Sequence, residues 1–453
     1  MKKNLFIYFA VVLTFGATVF FSGCSDDNPL TPTSTTSDKV LNLNASGPET
    51  NTYGPDVAIA WYNLEFRLIR QTSLGFTPPV AARAFGYTGI ALYESVVPGM
   101  PLYKSLKNQL NGFVFLSEVT PGNYHWPTSA NAALANIVRK LFTNATPANN
   151  ASIDSLEEAF NTVYQSQVDS ATFARSKEFG KEIAYSVYRW STTDHGREGQ
   201  LHNTDPTYVP PVGPGLWVPT PPALASALQP RWGNNRPFIT SNITTNQPPS
   251  PIPFSTNTNS TFYAEELEVY TTGISLSTEQ RNIALFWADG GGTFTPAGHW
   301  IAITQQILNS LNSKLDVAAL AFTKVGISQT DAFISCWKTK FIYNVLRPIT
   351  YIRTYIDSTW SPLIGTPPFP DYTSGHSSQS GAASQVLSDM FGYNVSFTDN
   401  SHPELAIPPR SFTSFYQASE EAAISRLYGG IHYRSSNERG VQCGRQIGMN
   451  VSA

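Results

Sequence analysis

Residues 367–391 read PPFPDYTSGHSSQSGAASQVLSDMF, and this stretch decides the fold class. The second half of this stretch is predicted to be a helix, because six apolar residues recur at helical spacing: Ala382, Ala383, Val386, Leu387, Met390 and Phe391. Gly392, directly after them, is suited to end that helix. Thr373 or Ser374 is then placed to cap the helix N-terminus, where Gly375 lets main-chain N–H groups approach an anion. Two interpretations of this segment are equally good when it is taken alone. It is either an anion site with His376 as an acid–base group, or an ordinary helix cap with a surface histidine.

The rest of the chain also shows helical periodicity. Apolar residues recur at helical spacings over residues 57–70, 80–97, 132–142, 153–168, 171–190, 278–288, 299–311 and 317–356. The sequence has no comparable set of alternating strand segments and no series of Asn-Gly or Asp-Gly hairpin turns. The pattern therefore predicts an all-α fold, a helical bundle with long proline-rich loops.

The longest of these loops lies between residues 208 and 253. Its prolines exclude regular helix, while Trp217, Trp232 and Phe238 lie within it. A loop of this length is usually functional or disordered, and the embedded aromatic residues favour an ordered loop packed on the body. Because no repeat period or second linker is visible, we expect one helical domain over residues 52–453.

Composition and charge limit the classes of function. Of the 453 residues, 41% are hydrophobic and 13% aromatic, which is enough for a sizeable buried core. The formal net charge is −3, and no run of lysine or arginine stands out. Nucleic-acid binding and broad electrostatic attachment to anionic lipid are therefore not expected.

The N-terminal region differs from the rest of the chain. Lys2 and Lys3 precede an almost wholly apolar stretch over residues 5–21, and FSGC at residues 21–24 resembles a bacterial lipoprotein cleavage site. We expect residues 1–23 to be a signal peptide, Cys24 to be lipidated, and residues 24–51 to be a flexible tether. An uncleaved signal anchor is the alternative. Either way the body is expected to be exported, as an outer-membrane or cell-surface lipoprotein or in the periplasm, with membrane contact only through this anchor.

Lys340 and Arg347 lie seven positions apart in a segment otherwise rich in aromatic and branched apolar residues. On one helix they would lie two turns apart on one face, about 10 Å along the axis. Two like charges on an apolar face repel and lose hydration unless an anion lies between them. Arginine could grip that anion with a bidentate fork and lysine with a point charge. A solvated basic stripe is the alternative interpretation.

A third segment, SRLYGGIH at residues 425–432, contains Arg426 and His432. Six residues of ideal helix place these side chains about 120° apart, so they would not share a helix face. They could still converge on one ligand if the backbone bends at Gly429 and Gly430. The spacing alone does not establish that convergence.

Together, the three segments resemble the signature of the vanadate-dependent haloperoxidase and type-2 phosphatidic acid phosphatase superfamily. The matching motifs are Lys-x6-Arg-Pro, Ser-Gly-His and Ser-Arg-x3-Gly-x-His, in the family's order and spacing. Further stretches resemble the bacterial haloperoxidase branch, namely WVPTPP at residues 217–222, FWADG at 286–290 and TPAGHW at 295–300. The resemblance covers most of the chain after the tether. It implies an all-α body of two four-helix bundles with an oxyanion site in a bundle core.

The resemblance implies a role for each matching residue. Vanadate would be the cofactor, although phosphate could occupy the same site, and its oxygens would be bound by Lys340, Arg347, Ser374, Gly375 and Arg426. His432 would bond the vanadium, and His376 would be the acid–base residue. Asp289 would pair with Arg426 and orient it, and Trp337 would form a wall of the site.

The implied reaction is the oxidation of a halide by hydrogen peroxide to hypohalous acid. Vanadate would act as a Lewis acid without changing oxidation state, and Lys340 would help polarise the O–O bond. The alternative is an acid phosphatase of the same fold, with His432 as nucleophile and His376 protonating the leaving group. A third possibility is a non-catalytic lipoprotein that binds phosphate. The sequence does not reveal the halide, the organic acceptor or the oligomeric state.

Two positions depart from the family pattern. The proline that usually precedes Ser-Gly-His is Thr373, which can still cap a helix. The aspartate that often lies four residues after the last histidine is Ser436, followed by Asn437. Without that carboxylate the phosphatase interpretation is weaker, whereas a backbone carbonyl or an amide could still orient His432 as a vanadium ligand.

The remaining histidines and cysteines carry weaker expectations. Four histidines show no mutual metal-ligand spacing and are expected to be surface or core residues: His125, His195, His202 and His402. His299 could line the site or be structural. Cys336 and Cys443 are expected to be buried thiols, with a disulfide between them as the open alternative.

Overall fold

The computed structural model describes residues 45–71 and 75–453. The predicted signal peptide, the lipidation site at Cys24 and most of the predicted tether lie outside these ranges. Regular structure is almost entirely helical, which confirms the predicted all-α fold. Within the two ranges, none of the helices could serve as a membrane span.

Fourteen α-helices and four short β-strands make up the regular structure of the described residues. The helices are α1 (Asp56–Gln71), α2 (Pro78–Val96), α3 (Trp126–Leu141), α4 (Pro147–Gln165), α5 (Ser170–Ser191), α6 (Ser241–Thr244), α7 (Thr261–Ile274), α8 (Thr278–Phe286), α9 (Thr295–Ser310), α10 (Leu315–Tyr343), α11 (Pro348–Tyr355), α12 (Gly375–Phe391), α13 (Phe415–Tyr428) and α14 (Arg434–Ser452). The parallel strands β1 (Ala45–Ser46) and β2 (Gly122–Asn123) form one small sheet, and the antiparallel strands β3 (Phe397–Asp399) and β4 (Arg410–Phe412) form the other.

The helices form two groups that share the long helix α10. In the first group α1, α2, α4 and α5 pack around α3, and in the second α10, α12, α13 and α14 pack together. Helix α10 contacts α2 on one side and α12 on the other, and most of its side chains are buried. A helix that is apolar on most of its circumference is expected in such a central position. The predicted two-bundle arrangement is confirmed, with five helices rather than four in the first group.

Glycines allow α12 and α14 to pack closely. Gly440, Gly444 and Gly448 recur every four residues along the face of α14 that meets α12. A Cβ atom at Gly444 would lie 2.0 Å from the main-chain oxygen of Ser378, so any larger residue would force the helices apart. This contact fixes the N-terminus of α12, which carries the Ser-Gly-His motif.

The predicted single helix through Lys340 and Arg347 is wrong. Helix α10 ends at Tyr343, and Asn344 adopts a left-handed conformation with φ of 48°. Arg347 lies at the N-terminal cap of α11, directly before Pro348. Asparagine tolerates the left-handed region, and a residue before proline avoids the helical region. The two cations therefore reach the site from separate elements rather than from one helix face.

The proline-rich segment over residues 208–253 is an ordered loop, as predicted, although the four-residue helix α6 interrupts it. Trp217, Trp232 and Phe238 are buried within it. The main-chain N–H of Trp217 donates a 2.7 Å hydrogen bond to the carbonyl of Asn344, so the loop braces the break between α10 and α11.

Residues 45–51, assigned to the tether on composition, pack against the helical body. Thr50 donates from its hydroxyl to the carbonyl of Val96 at 2.9 Å, and Trp126 Nε1 donates to the carbonyl of Pro48 at 3.0 Å. Strand β1 also pairs with β2. The body therefore includes these residues, and the predicted boundary at residue 52 lies too far along the chain.

Replacing Trp217 with alanine should destabilise the protein by about 3 kcal/mol, because a fully buried indole leaves a cavity. Denaturant unfolding would measure the change, and limited proteolysis should show cleavage in the loop. The control is Val212→Ala in the same loop, where the side chain is 96% exposed. Equal stability of the two variants would show that the loop is not packed as described.

Candidate functional site

The predicted site residues meet at one pocket with a volume of about 520 Å³. Five of them line it: Asp289, Gly375, His376, Arg426 and His432. Lys340, Arg347 and Ser374 are fully buried behind the lining residues. Trp337 forms part of the wall, as expected. A groove of similar volume between α13 and α14 contains none of these residues.

The guanidinium of Arg347 is only partly satisfied by the protein. Its Nε donates to the carbonyl of Phe369 and its Nη1 to the carbonyl of Ile431, both at 2.7 Å. Nη1 also lies 3.1 Å from Nε2 of His432, while the buried Nη2 has no partner among the described residues. Burial lowers the pKa of Arg347 to about 10, against the opposing effect of Asp371. An anion would supply the missing partner and the missing charge.

Lys340 is held by main-chain oxygens. Its Nζ donates to the carbonyls of Pro370 and Asp371, each at 2.8 Å. Burial lowers the pKa of this lysine to about 7, and the positive charge of Arg347 lowers it further against the opposing effects of Cys336 and Asp371. A bound anion would favour the charged form, so ligand binding and protonation of Lys340 are coupled.

Arg426 enters the pocket from the last turn of α13. Its Nη2 donates to the carbonyl of Trp287 at 2.6 Å, and its Nε donates to the hydroxyl of Ser425 at 3.1 Å. Helix α13 ends at Tyr428, and Gly430 follows with φ of +76°. This bend returns the chain to the pocket, so Arg426 and His432 converge as the sequence allowed.

The N-terminus of α12 presents main-chain donors to the pocket. Ser374 is the capping residue, and its Oγ accepts from the N–H of Ser377. The N–H groups of Gly375 and His376 have no partner among the described residues. A Cβ at Gly375 would lie 3.4 Å from the ring of Trp337, so glycine keeps this end of the pocket open.

His432 is positioned by groups on both sides of its ring. Nδ1 lies 2.8 Å from Oδ1 of Asp371, although the atoms do not align as a linear hydrogen bond. Ser436 donates from its hydroxyl to Oδ2 of the same carboxylate. Burial lowers the pKa of His432 well below its ordinary value, and Arg347 and Lys340 lower it further. The ring is therefore neutral, the form that can act as a ligand or a nucleophile.

Asp371 is the site residue that sequence reasoning missed. It lies beside His432 and accepts a hydrogen bond from the hydroxyl of Ser436, the position at which the family pattern often has an aspartate. Burial raises the pKa of Asp371 to about 6, while Arg347 and Lys340 oppose that rise. A serine at a position where a carboxylate is expected was the available signal, but it did not indicate which distant aspartate compensates.

His376 lies between an arginine and a carboxylate. Its Nε2 is 3.3 Å from Nη1 of Arg426 and 3.7 Å from Oδ2 of Asp289. Burial and the charge of Arg426 lower the pKa of His376 well below its ordinary value, and Asp289 opposes them. The neutral ring of His376 can accept a proton once an anion binds to Arg426.

The predicted pairing of Asp289 with Arg426 is not formed. Oδ1 of Asp289 contacts Nδ1 of His299 and Nε2 of His402, each at 2.9 Å. Nη2 of Arg426 instead donates to the carbonyl of Trp287, and the Asp289 carboxylate contacts the two imidazoles. His299 lies behind Asp289 rather than on the pocket wall, and His402 is a core residue.

The two cysteines of the described residues, Cys336 and Cys443, are both free. Sγ of Cys336 is buried and donates to the carbonyl of Thr373 at 3.3 Å. Both are therefore thiols as expected, but only Cys336 is buried, while Cys443 is half-buried.

The donor set fits a tetrahedral oxyanion. Three buried cations, an unpartnered guanidinium nitrogen, two unpaired main-chain N–H groups and a neutral imidazole surround one pocket. Without an anion, burial of the cations is costly, and burial lowers the pKa of each. The fold and site thus define an all-α protein with a buried, cation-lined pocket whose donors suit an oxyanion.

Comparisons with known proteins agree with this class. The family model of the VCPO second helical-bundle domain matches residues 320–453. The structure of a bacterial vanadium-dependent iodoperoxidase is similar with 35% identity and a TM-score of 0.80, covering 89% of this chain and 97% of that chain. A bacterial vanadium-dependent chloroperoxidase, 17% identical with a TM-score of 0.62, shares the fold over 83% of this chain and 94% of that one.

A curated relative is the vanadium chloroperoxidase of Curvularia inaequalis, 25% identical in a match that covers 33% of this chain. That match spans about a third of the relative's length, 35%. Because the iodoperoxidase exceeds 30% identity over nearly its whole length, the chain belongs to the vanadium-dependent haloperoxidase and type-2 phosphatidic acid phosphatase superfamily.

Replacing Asp371 with asparagine should weaken vanadate retention roughly 10- to 100-fold, because the carboxylate that orients His432, the expected vanadium ligand, loses its charge. Isothermal titration calorimetry would measure the affinity. Adding Ser436→Asp to this variant should restore part of it, since the carboxylate then lies where the family pattern has it. The control is Asp357→Asn, a carboxylate remote from the pocket. Unchanged affinity in the single variant would contradict the positioning role.

Proposed function

We propose that the protein is a vanadate-dependent haloperoxidase, which uses hydrogen peroxide to oxidise a halide to hypohalous acid. The observation that carries the proposal is the cluster of three buried cations around the neutral ring of His432. The 35% identical iodoperoxidase supports the same activity class. Hydrogen peroxide and the halide are small enough to enter the pocket.

The residues that would hold vanadate follow from the donor set. Lys340, Arg347 and Arg426 would neutralise its oxygens, and the N–H of Gly375 would donate to one of them. Ser374 lies beside that N–H, with a hydroxyl proton available for donation. Nε2 of His432, the ring nitrogen opposite Asp371, would bond the vanadium in place of its 3.1 Å contact with Nη1 of Arg347. Bound vanadate would supply Lewis acidity towards hydrogen peroxide.

The protein's own groups would handle protons and water. His376 is neutral and lies at the pocket surface, so it can take a proton from entering peroxide and return it to a leaving oxygen. Lys340 would donate to the bound oxygens as a charged ammonium once the anion is in place. The apolar rings of Phe333, Trp337 and Phe369 line the same pocket and limit access of water.

A second candidate, an acid phosphatase of the same superfamily, is favoured by Asp371. A histidine nucleophile needs a carboxylate near its other nitrogen, and Asp371 lies 2.8 Å from Nδ1 of His432. This replaces the carboxylate that the sequence pattern lacked at Ser436. Phosphate has the shape and charge of vanadate, so one pocket could bind either anion.

The decisive experiment compares the two activities in one preparation. Protein stripped of bound anion and then reloaded with orthovanadate should oxidise iodide or bromide with hydrogen peroxide, and unloaded protein should not. A phosphate monoester is tested in parallel with and without vanadate. Phosphate release that vanadate suppresses, without halide oxidation, would favour the phosphatase instead.

The variant His432→Ala should lose vanadate retention and halide oxidation while keeping its helical circular dichroism, because it removes the only proposed bond from protein to vanadium. Equilibrium dialysis measures the retained vanadate. The control is His195→Ala, which removes an exposed imidazole. Normal vanadate binding by His432→Ala would show that another residue is the ligand.

We also propose that the body is exported and anchored through lipid on Cys24. The support is the sequence pattern of residues 1–24. The full chain produced in a bacterial host should incorporate labelled palmitate, and Cys24→Ser should not. Equal labelling of both chains would reject the lipidation site.

A further inference from the structure

The carboxylate of Asp289 is the end of a chain of buried charged groups that runs away from the pocket. His299 is completely buried, and both of its ring nitrogens contact carboxylates. Nδ1 lies 2.9 Å from Oδ1 of Asp289, and Nε2 lies 2.8 Å from Oδ2 of Asp399. Only the doubly protonated imidazolium can donate to both acceptors. Burial opposes that charge, but the two carboxylates outweigh burial and raise the pKa of His299 to about 10.

The far end of this chain is anchored in regular structure. Asp399 ends strand β3, and its Oδ1 accepts from the main-chain N–H of Ser401 at 3.0 Å and from the hydroxyl of the same residue. Nε2 of Gln306 on α9 lies 3.5 Å from the same oxygen. Asp399 is therefore fixed by two elements and can hold His299 in turn.

The Asp289 end of the chain depends on the contacts of His299 with Asp289 and Asp399, which are called the clamp below. Asp289 has a left-handed φ of 44° and is followed by three glycines. A Cβ atom added at Gly290, Gly291 or Gly292 would meet no other atom within 4 Å, so the loop itself offers little packing to fix the carboxylate. The side-chain contacts of Oδ1 with His299 and His402 do so.

The second oxygen of Asp289 is left without a hydrogen bond. Oδ2 is buried, has no hydrogen-bond partner among the described residues, and lies 3.7 Å from Nε2 of His376. An unsatisfied buried acceptor is destabilising, so a purely structural salt-bridge network would be expected to satisfy it. Its proximity to the pocket histidine points to a role there.

We propose that His299 and Asp399 are positioning residues, which hold Oδ2 of Asp289 beside His376 so that it accepts the N–H formed when Nε2 of His376 takes up a proton. This inference rests on the proposed function, in which His376 is the acid–base residue. The proton comes from hydrogen peroxide and returns to the leaving oxygen. Neither positioning residue touches the reacting atoms.

The groups that face His376 come from several elements. Arg426 on α13 disfavours the protonated ring, as do His432 after that helix and His299 on α9, whereas Asp289 favours it. A displaced Asp289 carboxylate would therefore lower the pKa of His376 further. The limb of the pH–rate profile that reports His376 should move to lower pH in variants that break the clamp.

The test uses the full chain with Asp399→Asn and with His299→Gln. Each should lower kcat for iodide oxidation roughly 10- to 100-fold, while KM for iodide and vanadate retention change much less. The pH–rate profile should shift to lower pH in Asp399→Asn, whereas in His299→Gln the loss of the His299 charge opposes that shift. The control is His125→Gln, which removes another buried imidazole, one that contacts Thr128 and lies outside the pocket.

A readout independent of turnover follows the imidazole nitrogens by NMR in the phosphate-loaded protein. Wild-type protein should show His299 doubly protonated at neutral pH, and the Asp399→Asn variant should show altered titration of His376. The inference is overturned if Asp399→Asn keeps the wild-type profile and NMR titration. It is also overturned if the purified protein holds a stoichiometric metal ion on the donor atoms of Asp289, His299 and His402, which lie within 4.8 Å of one another. Wild-type protein that binds phosphate but never oxidises halide would instead reject the proposed function, and the NMR result would still decide the clamp.

Discussion

The structure depends on the burial of three cations that the protein itself neutralises only in part. Lys340, Arg347 and Arg426 are almost completely excluded from water, and the carboxylate of Asp371, 4.0 Å from Arg347, also lies 2.8 Å from His432. Removing charges from water is costly unless they are paired. The cost is tolerable here because a tetrahedral anion can occupy the space between them, which makes binding of that anion part of the stability of the bundle.

The helical scaffold explains how the cations reach one point. Helix α10 is shared by both bundles and ends at a left-handed asparagine, so that Lys340 and Arg347 approach from separate elements. Close packing of α12 on α14 across Gly444 fixes the helix N-terminus that supplies the main-chain donors. The bend at Gly430 returns His432 to the same pocket. Each of these backbone features is local, but the tertiary packing of the helices brings the site residues together.

Sequence reasoning succeeded where the chemistry is local. Short motifs predicted a cap at Thr373 or Ser374 and left a bend at Gly429 and Gly430 open, because glycine and capping residues act within one turn. It failed where compensation is distant. Asp371 supplies the carboxylate beside His432, where the family pattern often has one at position 436, and His402, one of the two imidazoles that hold Asp289, lies 113 residues further along the chain. The helices α7, α13 and α14 were also missed, because polar and glycine-rich faces packed against neighbours weaken apolar periodicity.

The most direct test of the buried-cation account is the proton uptake that accompanies anion binding. Lys340 has a pKa of about 7 in the free protein, and an anion beside it should raise that pKa. Titration calorimetry with sulfate, which does not itself titrate in this range, would be repeated above this pKa in buffers of different ionisation enthalpy. The account predicts binding with net proton uptake, lost in Lys340→Gln. Absence of binding, or binding with no proton uptake, would contradict it.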